Sequence, residues 1–297
     1  MSEQSIINWQ AWGLAIRPRT LPAAAAGVVM GSALAWRDGF FRMDATLVCL
    51  FAALLLQIGS NLANDVFDFE RGADTPDREG PLRVTQAGLL TSVQVKRGMW
   101  AIFFLAAVCG LYLTYLRGWI IIVIGLAAII SAIAYTGGPF PLGYYGLGDV
   151  FVFIFFGLAA VTGTYYVQSG STSSAAWWMS VPVGLIITAI LVVNNLRDIE
   201  NDRKAGKHTL AVMLGARGAR IEYLLCIISA YLIMPVLILL NIVPVFSLLT
   251  WLSLPLAWKT LRVVFTQEGR PLNAALAGTG QTVFVYSVLF LVGMLFV

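Results

Sequence analysis

Two short stretches carry side chains that an apolar chain has no folding reason to keep. The first is NDVFDFERGAD, Asn64 to Asp74, which follows the uncharged run AALLLQIGSNLA. The second is NNLRDIENDRKAGKHT, Asn194 to Thr209. At 100° per residue, Asn61, Asn64, Asp65 and Asp68 fall at about 0°, 300°, 40° and 340° around a helix, one stripe. Asn194, Asp198, Asn201 and Asp202 fall at about 0°, 40°, 340° and 80°, a second stripe. Both faces offer oxygen donors only. Carboxylates and amides without His or Cys suit Mg²⁺, Mn²⁺ or Ca²⁺ rather than zinc.

Burying such groups is costly. An Asp near a helix centre in lipid costs roughly 2.5–3.5 kcal/mol. Two carboxylates about 4 Å apart repel by several kcal/mol at an effective dielectric near 20. Facing stripes therefore call for a compensating cation, and Mg²⁺ prefers a few carboxylates completed by substrate phosphate oxygens. The candidate metal ligands are Asn64, Asp65, Asp68, Asp74, Asn194, Asp198 and Asp202, with Asp74 off the regular spacing. Asp68, Asp198 and Asp202 are the candidate catalytic carboxylates. Asn61 lies on the same stripe as a candidate substrate contact, and Arg71, Arg78, Arg83, Arg203 and Lys207 are candidates to hold a diphosphate. Glu70, Asp77, Glu79 and Glu200 read as solvated helix-end charges, and His208, the one histidine, as a solvated loop residue.

AYTGGPFPLGYYGLGDV, Ala134 to Val150, has the Gly and Pro density of a turn-rich loop. Tyr145 reads as an interfacial tyrosine, Tyr144 as a candidate substrate contact. Tyr135, closing its helix, is best placed to stabilise a passing cation with its aromatic face. RKAGKHTLAVMLGARGAR, Arg203 to Arg220, mixes basic residues with an apolar stripe. It either caps the site or rests on lipid headgroups.

The elements that must position these residues follow from composition. Of 297 residues, 59% are hydrophobic and 11% charged, against roughly 25% charged in a soluble domain. Nine apolar runs are expected to cross a bilayer, at about 20–36, 45–67, 97–116, 118–136, 149–168, 177–196, 221–240, 243–258 and 277–297. The expected fold is all-α, a polytopic membrane protein forming one nine-helix bundle over residues 1–297 with cap loops on one side. The first twenty residues read as neither a signal nor a transit peptide. Cys49, Cys109 and Cys226 sit singly in apolar runs and read as small core residues. Threading nine helices leaves only Arg37, Arg42 and Arg117 on one side, and the other 16 of the 19 basic residues opposite them. That asymmetry puts the N-terminus and both acidic stretches in the cytoplasm. It also assigns the net charge of +4 to membrane topology rather than to nucleic acid.

A lipid-embedded cavity with a cytoplasmic mouth for Mg²⁺ and diphosphate, and an apolar body, matches the shape of a polyprenyl diphosphate. Metal ions at the mouth offset charge on the leaving diphosphate. The dry cavity protects the allylic cation until an electron-rich acceptor captures it.

The two acidic stretches resemble the paired Asp-rich motifs of the UbiA superfamily of intramembrane prenyltransferases, whose architecture is nine helices. RPRTLPAAAAGVVMGSALAW, NLANDVFDFERGADTPDREGPLR, GYYGLGDVFVFIFFG and NNLRDIENDRKAGKHTLAVMLG are similar to the branch that prenylates 1,4-dihydroxy-2-naphthoate in menaquinone synthesis. The resemblance extends to about Gly215. It implies that Asn64, Asp68, Asn194, Asp198 and Asp202 hold Mg²⁺–diphosphate, with Asp65 beside them. It further implies that Arg17, Arg71, Arg78 and Lys207 contact phosphate or the acidic co-substrate, and that Tyr135 faces the reacting carbon. The chain departs from the superfamily at Gly72, where the last Asp of the first motif is usual; Asp74 resembles the naphthoate branch's own version. The resemblance implies attachment at the ring carbon bearing the carboxylate, with loss of carbon dioxide, in a bacterial inner membrane. Rival expectations are another acceptor, such as 4-hydroxybenzoate or haem, and a secondary transporter with an acidic site.

Overall fold

The computed structural model describes residues 8–73 and 79–297. Asp74, Asp77 and Arg78 lie outside the described residues. Within them the chain is helix and turn, with no strand. We label the helices α1 (Trp9–Ile16), α2 (Leu21–Arg37), α3 (Met43–Glu70), α4 (Ser92–Arg117), α5 (Ile120–Ala134) and α6 (Gly148–Ser169). They continue as α7 (Ser174–Arg197), α8 (Ile199–Lys204), α9 (Leu210–Leu239), α10 (Val245–Thr266) and α11 (Leu272–Met294).

Each of the nine expected crossings falls on a helix. Length and composition qualify seven of them as spans: α3, α4, α6, α7, α9, α10 and α11. Helix α5 is apolar but shorter, and α2 has 17 residues. These criteria thus supply seven spans and one shorter apolar helix and leave the count of nine unestablished. Large apolar side chains such as Trp100, Phe104, Ile130, Leu232 and Leu252 remain exposed on the outside, the surface expected where lipid replaces water. The chain is an integral membrane protein.

Lipid tails are as apolar as leucine, so helix association gains little from hiding apolar area and relies on close packing of small residues. Helix α2 is built for this, as LPAAAAGVVMGSALAWR leaves it almost all core. A Cβ added at Gly27 would lie 2.6 Å from Ala160 Cβ, and one at Gly31 2.5 Å from the Val161 carbonyl, so α2 meets α6 nearly backbone to backbone. On its other side α6 meets α7, where a Cβ at Gly157 would lie 2.6 Å from Gly184 Cα. One main core joins α2, α6, α7, α9 and α11. A second joins α1, α3 and α4 with Val84 and Leu90 of the segment that links α3 to α4.

Three local breaks shape the site. Helix α7 ends at Arg197, and Asp198 (φ −96°, ψ 12°) joins it to the short α8. The second acidic stripe is therefore shared between two helices rather than carried by one. Gly215 is non-helical (φ 73°) and bends α9, so residues 210–214 lie as a cap before the helix enters the bundle. Within α6, Phe153–Ala159 widens to π-helix, a form that often marks functional sites.

Gly157→Ala is expected to lower the thermal unfolding midpoint in detergent, because its new methyl meets backbone that cannot yield, at about 1–3 kcal/mol. Gly163→Ala in the same helix, with nothing within 4 Å of the added Cβ, serves as the neutral control. Equal midpoints would place the α6–α7 contact outside what holds the bundle together.

Candidate active site

The last turns of α3 present Asn61, Asn64, Asp65 and Asp68, and the structure gives each a different task. Asp65 is almost fully buried; its two carboxylate oxygens accept the backbone N–H groups of Val84 (3.1 Å) and Thr85 (3.0 Å). It anchors the segment 79–90, which crosses this end of the bundle as a strap. Asn61 spends both amide protons on the chain before α2, donating to the Ile16 carbonyl (2.9 Å) and Thr20 Oγ1 (3.1 Å). Asn64 accepts from Thr136 Oγ1 at 3.1 Å, fixing the turn after α5.

Asp68 is the point of convergence. Its Oδ2 accepts from Arg83 of the strap at 3.2 Å. Its Oδ1 accepts from the Tyr144 hydroxyl (3.0 Å) in the α5–α6 loop and from Lys207 Nζ (3.2 Å) in the α8–α9 loop. The same ammonium lies 3.6 Å from Asp202 Oδ1. A single lysine thus bridges the two acidic stretches, which share one end of the bundle as the loop count requires. Lys207 and Arg71 flank the Tyr144 ring, at 4.7 Å and 5.5 Å from its centroid, and Arg71 also donates to the Gly138 carbonyl. The cap settles the alternative posed by residues 203–220. His208 donates its backbone N–H to the Tyr144 carbonyl (2.8 Å), and Met213 packs where a Cβ on Gly146 would sit. It covers the loop that holds Asp68.

In the second stretch Asp198 is gripped end-on by its neighbour Arg197, Nε to Oδ1 at 2.9 Å and Nη2 to Oδ2 at 2.6 Å. The same guanidinium donates to Asn194 Oδ1 (2.8 Å) and Asn273 Oδ1 (2.7 Å). Asn273, at the start of α11, donates in turn to the Glu79 carbonyl at the head of the strap (3.1 Å). Sequence reasoning missed Arg197, Asn273 and Thr136. One residue from Asp198, Arg197 would point about 100° away on a continuing helix; the end of α7 lets it fold back. An arginine inside an uncharged helix end was the signal, hidden among the topology-setting cations.

Not every candidate joins this centre. Arg203 pairs with Glu200 at 2.7 Å on the exposed face, where Glu200 is solvated as expected. Arg17 is half-buried in the α1–α2 turn with φ 54°, a left-handed conformation that costs a non-glycine residue of order 1 kcal/mol or more and collects at functional sites.

Beneath the polar cluster lies a cavity of about 360 Å³ between α3, α4, α5 and α6, lined by side chains such as Leu56, Ile129, Ala132, Phe151 and Phe155. Tyr135 lines it as well. Glycines at 143 and 148 make room for that ring: a Cβ on Gly148 would lie 2.7 Å from the Tyr135 hydroxyl.

The donor set suits magnesium. Asp68, Asp198, Asp202, Asn64 and Asn194 supply oxygen alone. Among the described residues no three His, Cys, Asp or Glu converge to enclose a metal unaided. Mg²⁺ is commonly held by one or two carboxylates and completed by substrate phosphates. Arg83, Arg197 and Lys207 already neutralise much of the carboxylate charge.

Fold and site together define an integral membrane protein with a cluster of carboxylates and cations at one end of its helical bundle and an apolar cavity within it. Residues 23–288 match the model of the UbiA prenyltransferase family, and the chain belongs to that family. It is 40% identical over 304 residues to the 1,4-dihydroxy-2-naphthoate octaprenyltransferase of Escherichia coli (strain K12), covering 99% of this chain and 98% of that protein. It is 36% identical to the Haemophilus influenzae protein of the same name, over 99% of each chain. A solved UbiA homologue from Archaeoglobus fulgidus, bound to GPP and Mg²⁺, superposes with a TM-score of 0.69 over 96% of this chain and 99% of its own. At 13% identity that likeness speaks for the fold alone.

Asp65→Asn keeps one acceptor oxygen where two amides now bind. Hydrogen exchange at Val84 and Thr85 is expected to quicken by the equivalent of about 1–3 kcal/mol. Unchanged exchange would remove Asp65 as the anchor of the strap.

Proposed function

We propose that this chain transfers a polyprenyl group from a polyprenyl diphosphate to 1,4-dihydroxy-2-naphthoate, with loss of carbon dioxide, giving demethylmenaquinol for menaquinone synthesis. It does so as one membrane domain over residues 1–297, with its site at the cytoplasmic face of a bacterial inner membrane. The observation that carries the reading is the meeting of Asp68, Lys207 and Asp202 in a bundle whose apolar cavity is lined in part by Tyr135. Support for the acceptor comes from the names of the relatives; support for the orientation comes from the lopsided distribution of basic residues.

Asn64, Asp68, Asn194, Asp198 and Asp202 would hold Mg²⁺ together with the diphosphate, while Asp65 and Asn61 serve as scaffold. A magnesium ion there supplies Lewis acidity against the charge gathering on the departing diphosphate. Lys207, Arg71 and Arg83 bind the remaining phosphate oxygens by charge-assisted hydrogen bonds; Arg17 and Arg78 are placed in sequence to assist. The allylic C–O bond breaks with its electron pair on the diphosphate. The cavity keeps water from the resulting cation, and the ring face of Tyr135 stabilises it. The acceptor carbon bearing the carboxylate bonds to the prenyl carbon, and the C–CO₂ bond then breaks, returning its electrons to the ring.

The decisive assay supplies purified protein with a prenyl diphosphate, Mg²⁺ and a panel of acceptors, and weighs the products. Turnover of the naphthoate, stopped by chelation, is expected; turnover of 4-hydroxybenzoate alone would reject the acceptor, and no diphosphate release would favour transport. Asp68→Asn and Asp198→Asn are each expected to lower turnover by about 10²–10³-fold or more with expression intact. Activity within about tenfold of wild type would make them ordinary helix-end charges.

A further inference from the structure

The Arg197 side chain is wholly buried yet touches neither the cavity lining nor the lysine that bridges the two acidic stretches. Its fork is spent on three acceptors: Asp198 at both oxygens, Asn194 and Asn273. Two of these are the carboxylate and amide expected to meet the cation. Asn194 lies in the last turn of α7 and Asp198 at its junction with α8. The backbone ties them, Asp198 N–H to the Asn194 carbonyl at 3.2 Å, and Arg197 ties their side chains. The third, Asn273, carries the connection to the Glu79 carbonyl, at the head of the strap whose Arg83 binds Asp68.

We propose that Arg197 is a positioning residue: it sets Asn194 and Asp198 as a cation-binding pair and, through Asn273, couples that pair to closure of the strap over Asp68. The inference rests on the magnesium–diphosphate reading above. Four donor contacts in three directions fix the guanidinium, so it orients the ligands from behind rather than competing for the cation's place. A lysine keeps the charge but not the planar fork, which makes Arg197→Lys the informative change. Asn273→Ala removes the link to the strap together with one of the four Arg197 hydrogen bonds, leaving those to Asn194 and Asp198 in place.

The test uses full-length protein in detergent, with Mn²⁺ as the paramagnetic probe and inorganic diphosphate as its partner. Arg197→Lys is expected to weaken Mn²⁺ binding by about tenfold or more, as loss of a ligand-orienting contact does. It should raise the KM for prenyl diphosphate alongside, and leave the KM for the acceptor within about twofold. Asn273→Ala is expected to weaken Mn²⁺ binding by about threefold, to speed hydrogen exchange in residues 79–90, and to add nothing in the Arg197→Lys background. Mn²⁺ binding by Arg197→Lys equal to wild type would overturn the proposal while leaving the function intact. So would a parallel loss of cation, acceptor and thermal stability, or an Asn273→Ala strap that exchanges as in wild type. Failure of the wild-type protein itself to bind Mn²⁺ would overturn the magnesium reading and the proposal with it.

Discussion

Asp68 cannot be satisfied by its own helix. Its partners come from the strap, the α5–α6 loop and the α8–α9 loop, through Arg83, Tyr144 and Lys207. A buried carboxylate deprived of such partners costs several kcal/mol, so three segments distant in sequence are bound to close on one point. The remaining polar contacts extend that closure. Lys207 brings Asp202, the Tyr144 carbonyl brings His208 and the cap, and Asp65 holds the strap to α3. The site is the place where these connections meet.

Position relative to the bilayer explains why the cluster can exist. The carboxylates stand at the ends of α3 and α7, where the cost of charge in lipid falls and basic loops supply counterions. About three helical turns down α3 from Asp68 the surroundings are Leu56 with Ile129, Phe151 and Phe155. On the proposed reading, a substrate with a charged head and a hydrocarbon tail would meet the charged cluster around Asp68 at one end and, past Tyr135, the apolar lining at the other. In the proposed reaction the same geometry would separate leaving group from cation, with charge moving toward arginine and lysine and the carbon staying among apolar walls and the ring of Tyr135.

Much of this was legible in the chain before any coordinates. Helix positions followed from apolar runs of spanning length, because a bilayer offers no other solution to backbone hydrogen bonding than a helix or a closed barrel. The common side of the two acidic stretches followed from counting crossings and basic residues. The oxygen-only character of the donors, from which the proposed class of cation is argued, was also visible there. The count of nine spans was less secure, since α2 and α5 are short, and the second acidic stripe looked continuous because a helix wheel does not register the break at Asp198.

What tertiary structure alone decided is the division of labour among similar side chains. Asp65 and Asp68 are three residues apart on one face, yet the first secures backbone amides and the second gathers cations. Arg203 in the last turn of α8 and Lys207 in the loop after it sit four apart, yet one pairs with Glu200 in the open and the other joins both acidic stretches. Arg197, silent in the sequence, holds four hydrogen bonds. The sequence determines which groups are available and on which face of which helix, because those depend on local periodicity and transfer energies. Which group meets which depends on chain brought from far along the sequence, as in Asn273 with the Glu79 carbonyl 194 residues away, and only the packed bundle fixes that.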